Sequence, residues 1–250
     1  MMNGALHFDV SGTGTIPVIC IHGWGCEGAQ FIELSRALGP KFRVYRPDLP
    51  GHGRTPLDGF VPSFANYADV IVDFALGQQL ENPILIGHSL GGALATRAAA
   101  PRLQPRAVIQ LDGILPPAAQ TVVWLAMIRS WLDEPDFRDR LAMALRENFF
   151  LPQERDARCE AIIRMMCSAP AAVLRYLPEQ IGSQAATNLL PKVSAPILYI
   201  AAAVPFFDVP KVAKAQIRVE QIPTAGHFLH VYAFDQVAAK VEEFLRPAAG

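Results

Sequence analysis

The 250-residue sequence predicts an α/β fold in which a mostly parallel sheet carries helices on both faces and is interrupted by a helical insertion. Short apolar runs rich in valine and isoleucine alternate with segments of helical periodicity at both ends of the chain. Between residues 115 and 190, helical patterns follow one another with no strand between them. The alternation is typical of a parallel sheet, and its interruption indicates the insertion.

Six strand candidates form this pattern. Four precede the insertion: IPVICIH (16–22), FRVYRPD (42–48), NPILIGH (82–88) and RAVIQLD (106–112). Two follow it: APILYIAA (195–202) and IRVEQI (217–222). Three of the first four are almost continuously apolar, which is expected of strands buried on both faces.

Helical candidates fill the spaces between the strands, with apolar residues three and four positions apart. Those of the first half are EGAQFIELSRAL, SFANYADVIVDFALGQQL and LGGALATRAAA. The insertion contains WLAMIRSWL, FRDRLAMALRENFF, RCEAIIRMMC and AAVLRYLPEQI, and FDQVAAKVEEFL follows the last strand. We therefore predict an α/β core at 1–114 and 191–250 and a helical cap inserted at 115–190.

Composition excludes several classes of partner. The net charge of −1 offers no basic surface for nucleic acid. The N-terminal MMNGALHFDV lacks the pattern of a signal peptide, and no apolar run reaches the length of a membrane span. The four cysteines form no CxxC pair. We expect a cytoplasmic protein without a metal or cofactor that acts on a small molecule.

The stretch GHSLGG (87–92) contains the pattern G-x-S-x-G. It follows the apolar run PILI and precedes an alanine-rich helical segment, which is the strand, sharp turn and helix of a nucleophile elbow. Small neighbours avoid clashes in so tight a turn, and the helix N-terminus favours developing negative charge. We predict Ser89 as the nucleophile.

A serine hydroxyl needs a base to take its proton, and the chain has six histidines. His227 in TAGHFLHV follows the last strand candidate, and we predict it as the base. His230 is interpreted as pocket wall or packing, and His22 as a residue that shapes the HGWG loop (22–25). Acyl transfer also requires N–H groups aimed at an oxyanion, for which we predict those of Trp24 and Leu90.

The order and spacing of HGWG, DLPGHG (48–53), GHSLGG, the helical insertion and the late AGH resemble the α/β-hydrolase fold superfamily over essentially the whole chain. The resemblance implies an eight-stranded, mostly parallel sheet, a cap over the site, and the order nucleophile, acid, histidine along the chain. It also implies that DLPGHG is a structural turn, so Asp48 is not counted as catalytic.

The acid of the triad is the unusual feature. In most members of the superfamily it follows the strand after the cap, where this chain has Pro205. Asp208 comes three residues later. Certain haloalkane dehalogenases, zearalenone lactonases and cofactor-free quinolone dioxygenases instead carry the acid at the end of the preceding strand, which here is Asp112. We predict Asp112 as the acid and keep Asp208 as the fallback.

These residues predict a serine hydrolase that cleaves a neutral, moderately hydrophobic carboxylic ester or lactone through an acyl-enzyme. The predicted pocket is apolar and includes Trp24, Trp124, Met127 and Phe228. The same residues serve carbon-carbon bond hydrolysis. A cofactor-free dioxygenase of a hydroxyquinolone-like substrate and a hormone-receptor-like binding protein are the remaining alternatives.

Overall fold

A computed structural model of the chain describes residues 6–99, 102–113, 117–180, 193–206, 208 and 217–246. Within these ranges the strands form one sheet in the order β1-β3-β2-β4-β5-β6-β7. They are β1 Phe8–Ser11, β2 Ile16–Ile21, β3 Phe42–Pro47, β4 Ile84–His88, β5 Ala107–Leu111, β6 Ile197–Ala201 and β7 Arg218–Gln221. All six predicted strands are present, and each of them runs parallel to its hydrogen-bonded neighbours among the six.

The sheet differs from the expectation in two respects. The described residues contribute seven strands, whereas the resemblance implied eight. The sequence reading also missed β1, which pairs antiparallel with β3. This four-residue strand lies at the edge of the sheet and is only partly buried, so it lacks the continuous apolar run that marked the central strands.

Nine α-helices lie in the described parts of the chain. Three accompany the first strands: α1 Ile32–Ala37, α2 Phe64–Gly77 and α3 Leu90–Ala99. Four lie between β5 and β6: α4 Ala119–Ser130, α5 Phe137–Phe149, α6 Ala157–Ser168 and α7 Ala171–Gln180. Two follow β7: α8 Leu229–Tyr232 and α9 Phe234–Leu245. We call α4 to α7 the helical insertion.

Local sequence explains where these helices begin. The Ser63 hydroxyl accepts a hydrogen bond from the Asn66 N–H at 3.0 Å and caps α2. The Asp156 carboxylate caps α6 by accepting from the N–H groups of Arg158 and Cys159. None of the helices in the described ranges has the length and hydropathy to cross a membrane.

The sheet has a hydrophobic core on each face. On β4, Leu85 belongs to one core together with α2, α3 and the helical insertion. Its neighbours Ile84 and Ile86 belong to the other core, together with α1 and α9. Alternate residues of a strand point to opposite faces, so both faces of the central strands are covered by helices. The predicted domain boundaries at 114/115 and 190/191 fall on or beside residues outside the described ranges.

Candidate active site

Ser89 occupies a sharp turn between β4 and α3. Its backbone φ of 53° lies in the left-handed region, which costs energy for a residue with a side chain. The Ser89 N–H donates to the Leu111 carbonyl at 2.9 Å and fixes the turn against β5. A Cβ on Gly91 would lie 2.0 Å from the Ile21 carbonyl oxygen, so this position in the turn accepts only glycine. The GHSLGG stretch therefore has the geometry of a nucleophile elbow.

His227 and Asp112 are joined by a short hydrogen bond. The His227 Nδ1 and Asp112 Oδ2 atoms lie 2.6 Å apart, and both residues are buried. Asp112 directly follows β5 and has a φ of 44°, a second left-handed residue in this site. Its other oxygen, Oδ1, lies 3.4 Å from the N–H groups of Ala202 and Phe206, which donate to it. The carboxylate is thus held on both of its oxygens.

Burial sets the charges of this pair. Loss of hydration lowers the pKa of His227 below its ordinary value, so the imidazole is neutral and able to accept a proton. Burial raises the pKa of Asp112, and the N–H groups of Ala202 and Phe206 partly offset this effect. The low dielectric of this buried site makes a charge on Asp112 costly. The same low dielectric strengthens the hydrogen bond between Asp112 and the Nδ1–H of His227.

Asp208, the fallback acid, is half-buried and does not line the pocket that contains His227. Each imidazole Nδ1 offers a single hydrogen-bond direction, and Asp112 occupies it. The geometry therefore pairs His227 with the aspartate at the end of β5.

The loop that bears His227 is fixed rather than flexible. The Gly226 N–H donates to the buried Glu154 carboxylate at 2.9 Å, and the His227 N–H donates to the Phe149 carbonyl at 2.9 Å. A Cβ on Gly226 would lie 2.4 Å from Glu154 Oε2, so glycine allows this close approach. Gly226 therefore binds the loop to the segment that carries Glu154.

The HGWG loop packs directly against Ser89. A Cβ on Gly23 would lie 3.3 Å from the Ser89 Cβ. The Trp24 indole N–H donates to the Val173 carbonyl at 2.7 Å, which holds this side chain in place. His22 Nε2 accepts from the Leu49 N–H at 2.9 Å, so its Nδ1–H donates to the Gly23 carbonyl. His22 has the structural role predicted for it.

Asp48 also has a structural position. Its carboxylate accepts from the N–H groups of Gly28 and Arg54 at 2.8 and 3.0 Å and so closes the DLPGHG turn. His52, in the same turn, accepts from the Gly25 N–H through Nε2 at 3.2 Å. The turn therefore supports the HGWG loop from behind.

Five histidines are buried: His22, His52, His88, His227 and His230. Burial lowers the pKa of every one of them. His88 Nε2 lies 3.0 Å from the His227 carbonyl and joins the elbow to the base loop. His230 packs between Phe31 and His88 and does not line the pocket, so its role is packing.

Ser89 and His227 face a common apolar pocket. Residues from the sheet side line it: Gly23, Trp24, Cys26, His88, Ser89, Phe206, His227 and Phe228. Residues of the helical insertion complete it: Thr121, Trp124, Leu125, Phe149, Met166 and Leu177. The free volume is about 10 Å³, roughly the space of one water molecule. A substrate therefore enters only when lining side chains move.

Three of the four predicted pocket residues, Trp24, Trp124 and Phe228, line this pocket. Met127 does not, and it is 39% exposed. The buried residues of α4 are Thr121, Trp124, Leu125 and Ile128, and at about 100° per residue Met127 lies roughly 110° from the centre of that side. The sequence reading did not assign Phe206, whose ring centre lies 4.5 Å from that of His227. The bulky residues after Pro205 were the available signal.

The alpha/beta hydrolase family has a sequence model that matches residues 18–240. The chain belongs to this family. The predicted α/β-hydrolase fold is thereby confirmed. Solved structures have the same fold: an esterase from Thermogutta terrifontis is 24% identical with a TM-score of 0.80, covering 96% of this chain and 93% of its own. The enol-lactonase from Burkholderia xenovorans LB400 is 17% identical with a TM-score of 0.81, covering 96% of each chain.

Among curated proteins, this alpha/beta hydrolase is similar to a pimeloyl-[acyl-carrier protein] methyl ester esterase from Vibrio cholerae. The two are 37% identical over 98 residues, which is 39% of this chain. The match spans only 36% of the relative's own length. Within the described residues, no cluster of three or more histidine, cysteine or acidic side chains has the arrangement of a metal site.

Proposed function

We propose that the protein is a serine hydrolase of carboxylic esters, with Ser89 as nucleophile, His227 as general base and Asp112 as the acid that orients it. The 2.6 Å contact between His227 Nδ1 and Asp112 Oδ2 is the observation that carries this proposal. The elbow geometry of Ser89 and the pocket that Ser89 shares with His227 support it further. Asp208 is not needed in this scheme.

The reaction follows from these roles. Asp112 holds the Nδ1–H proton of His227, so Nε2 is free to accept the Ser89 hydroxyl proton as Oγ attacks the ester carbonyl. The N–H groups of Trp24 and Leu90 donate to the resulting oxyanion. The carbon–oxygen ester bond then breaks, and the alcohol leaves with the proton from Nε2. Water, deprotonated by His227, then attacks the acyl carbon, the bond to Ser89 Oγ breaks as Oγ takes the proton back from Nε2, and the acid leaves.

The substrate proposed for this site is a neutral, moderately hydrophobic ester or lactone. Among the residues that the structure describes, the pocket lining is apolar and contains no lysine, arginine, aspartate or glutamate. An anion would lose hydration there without gaining a charged partner. The similarity to methyl ester esterases makes methyl esters of medium-chain acids the first substrates to test.

An active-site fluorophosphonate probe tests the proposal. We expect the wild-type protein to be labelled and to hydrolyse methyl esters in a pH-stat assay, and Ser89→Ala to lose both properties. Ser168→Ala is a matched control, because the Ser168 hydroxyl is exposed and donates only to the nearby Met165 carbonyl. This control should be labelled like the wild type.

Two results would contradict the proposal. Labelling that persists in Ser89→Ala would assign the nucleophile elsewhere. Absence of labelling together with oxygen uptake on a hydroxyquinolone would support the dioxygenase alternative instead.

A further inference from the structure

Most polar side-chain atoms around the pocket already have partners within the protein. The Thr121 hydroxyl donates to the Phe206 carbonyl at 2.7 Å. The Trp24 indole N–H donates to the Val173 carbonyl, and the Cys26 thiol donates to the Trp24 carbonyl at 3.4 Å. These three groups therefore bind other parts of the protein, and their donors are not available to a ligand.

The Trp124 indole N–H differs from them. It is buried, and within the described residues it has no hydrogen-bond partner. The side chain is 8% exposed and lines the pocket. Buried donors without a partner are rare in folded proteins, and each one requires an explanation. A ligand atom that accepts a hydrogen bond provides one.

His88 Nδ1 is the other buried lining atom without a partner among the described residues. It is an acceptor if Nε2–H donates to the His227 carbonyl. A Cβ on Gly23 would lie only 3.1 Å from it, so the HGWG loop covers this nitrogen closely. Trp124 is therefore the better candidate for contact with a substrate.

We propose that the Trp124 indole N–H donates a hydrogen bond to the substrate and selects esters with an uncharged oxygen acceptor remote from the scissile carbonyl. An ether, keto or second ester oxygen has this chemistry. Since no described residue of the lining is cationic, a carboxylate is a poor occupant. This inference rests on the proposed function, since it names the class of ester that the same pocket accepts.

Selectivity is measured with paired methyl esters. Methyl hexanoate is compared with analogues in which an ether oxygen replaces one methylene group at position 3, 4 or 5 of the acyl chain. For each pair the ratio of kcat/KM values is determined for the wild type and for Trp124→Phe, so that differences in intrinsic ester reactivity cancel. We expect the wild type to favour at least one ether ester by about fivefold more than Trp124→Phe does, which is the effect of one hydrogen bond.

Trp131→Phe is the matched control. Trp131 is half-buried against the core and does not line the pocket. Its ratios should equal those of the wild type within about twofold, less than the loss of one hydrogen bond would produce.

A binding measurement separates this inference from the proposed hydrolase activity. The chain has three tryptophans, so its ¹⁵N-labelled form has three indole signals, and Trp124→Phe identifies one of them. In Ser89→Ala, which should not turn the esters over, the Trp124 proton signal should move downfield with the favoured ether ester and not with methyl hexanoate.

The outcomes are distinguishable. If the signal moves but the wild type hydrolyses no ester, the hydrolase assignment is wrong and the Trp124 donor stands. If hydrolysis proceeds, the inference is overturned by ratios that Trp124→Phe leaves unchanged, or by an indole signal that no ester moves. The second result would also be expected if the N–H pointed at the face of the Phe206 ring, whose plane is nearly perpendicular to that of Trp124 with ring centres 6.1 Å apart.

Discussion

Replacing Asp112 by asparagine tests the proposed acid with almost no change in side-chain volume. One carboxylate oxygen lies 2.6 Å from His227 Nδ1, and the other accepts from the N–H groups of Ala202 and Phe206 at 3.4 Å. Asparagine has a single side-chain oxygen. It can serve either the histidine or the two backbone groups, but not both.

The orientation of the amide decides the effect. If its NH₂ group faced the backbone, two buried N–H donors would lose their acceptor, at a cost of about 1–3 kcal/mol each. If the NH₂ group faces His227, only the imidazole proton has to move, because the tautomer follows the hydrogen bond offered at the other nitrogen. We expect the second arrangement. The proton then lies on Nε2, where the base has to accept one from Ser89.

The expected loss in kcat is at least about a hundredfold and approaches about ten thousandfold, the effect of the wrong tautomer in Ser-His-Asp proteases. This range corresponds to about 3–5 kcal/mol of transition-state stabilisation. The folded protein should not become less stable. Burial raises the pKa of Asp112, so the folded state already disfavours this charge and loses little when it is removed.

Initial rates of methyl ester hydrolysis and thermal unfolding are measured for Asp112→Asn, with Asp208→Asn as the control. We expect the control to keep near wild-type rates. The reasoning is refuted if Asp112→Asn hydrolyses esters at the wild-type rate, and the acid is reassigned if Asp208→Asn loses activity instead.

Two further predictions concern stability. The five buried histidines remain neutral in the fold, whereas unfolded imidazoles with a pKa near 6.5 take up protons as the pH falls. Stability from this source is fully present well above pH 6.5 and is lost progressively as the pH falls from 7 to 5.5, because the unfolded imidazoles then bind protons that the folded ones do not. Urea midpoints that do not fall over this interval would contradict this expectation. Gly91→Ala should lower Tm sharply or prevent folding, because its Cβ would lie 2.0 Å from the Ile21 carbonyl oxygen. The exposed Gly77, with nothing within 4 Å of its Cβ position, should accept alanine with an equal or higher Tm, and equal Tm values for the two variants would show that the elbow tolerates a side chain.

The central strands and the elbow were predictable from the sequence because their signals are local. Buried parallel strands read as continuous apolar runs, and the turn around Ser89 requires small residues at fixed spacing. Asp112 is predicted as the acid because it directly follows a strand and Pro205 occupies the usual position of the acid, and this role stays a prediction. The pairing of Asp112 with His227 joins residues 115 positions apart, and only the fold brings them together.

Other features depend on tertiary contacts that leave no local signal. The short edge strand β1 is defined by its pairing with β3 rather than by an apolar run. Met127 belongs to an apolar helix whose buried side is set by its neighbours. The N–H groups of Ala202 and Phe206 that support Asp112 are backbone atoms, so no residue type marks them in the sequence.

The position of Asp112 at the end of β5 affects which substitutions the proposed site can accept in the segment after β6. In the described part of the segment after β6, the backbone N–H groups of Ala202 and Phe206 donate to Asp112, while the Phe206 side chain faces the pocket. The side chains of Ala203, Val204 and Pro205 make no hydrogen bond to Asp112, whereas Phe206 also packs against His227 with ring centres 4.5 Å apart. Position 206 is therefore where a substitution other than proline would change the shape of the pocket while keeping the backbone N–H that donates to the acid.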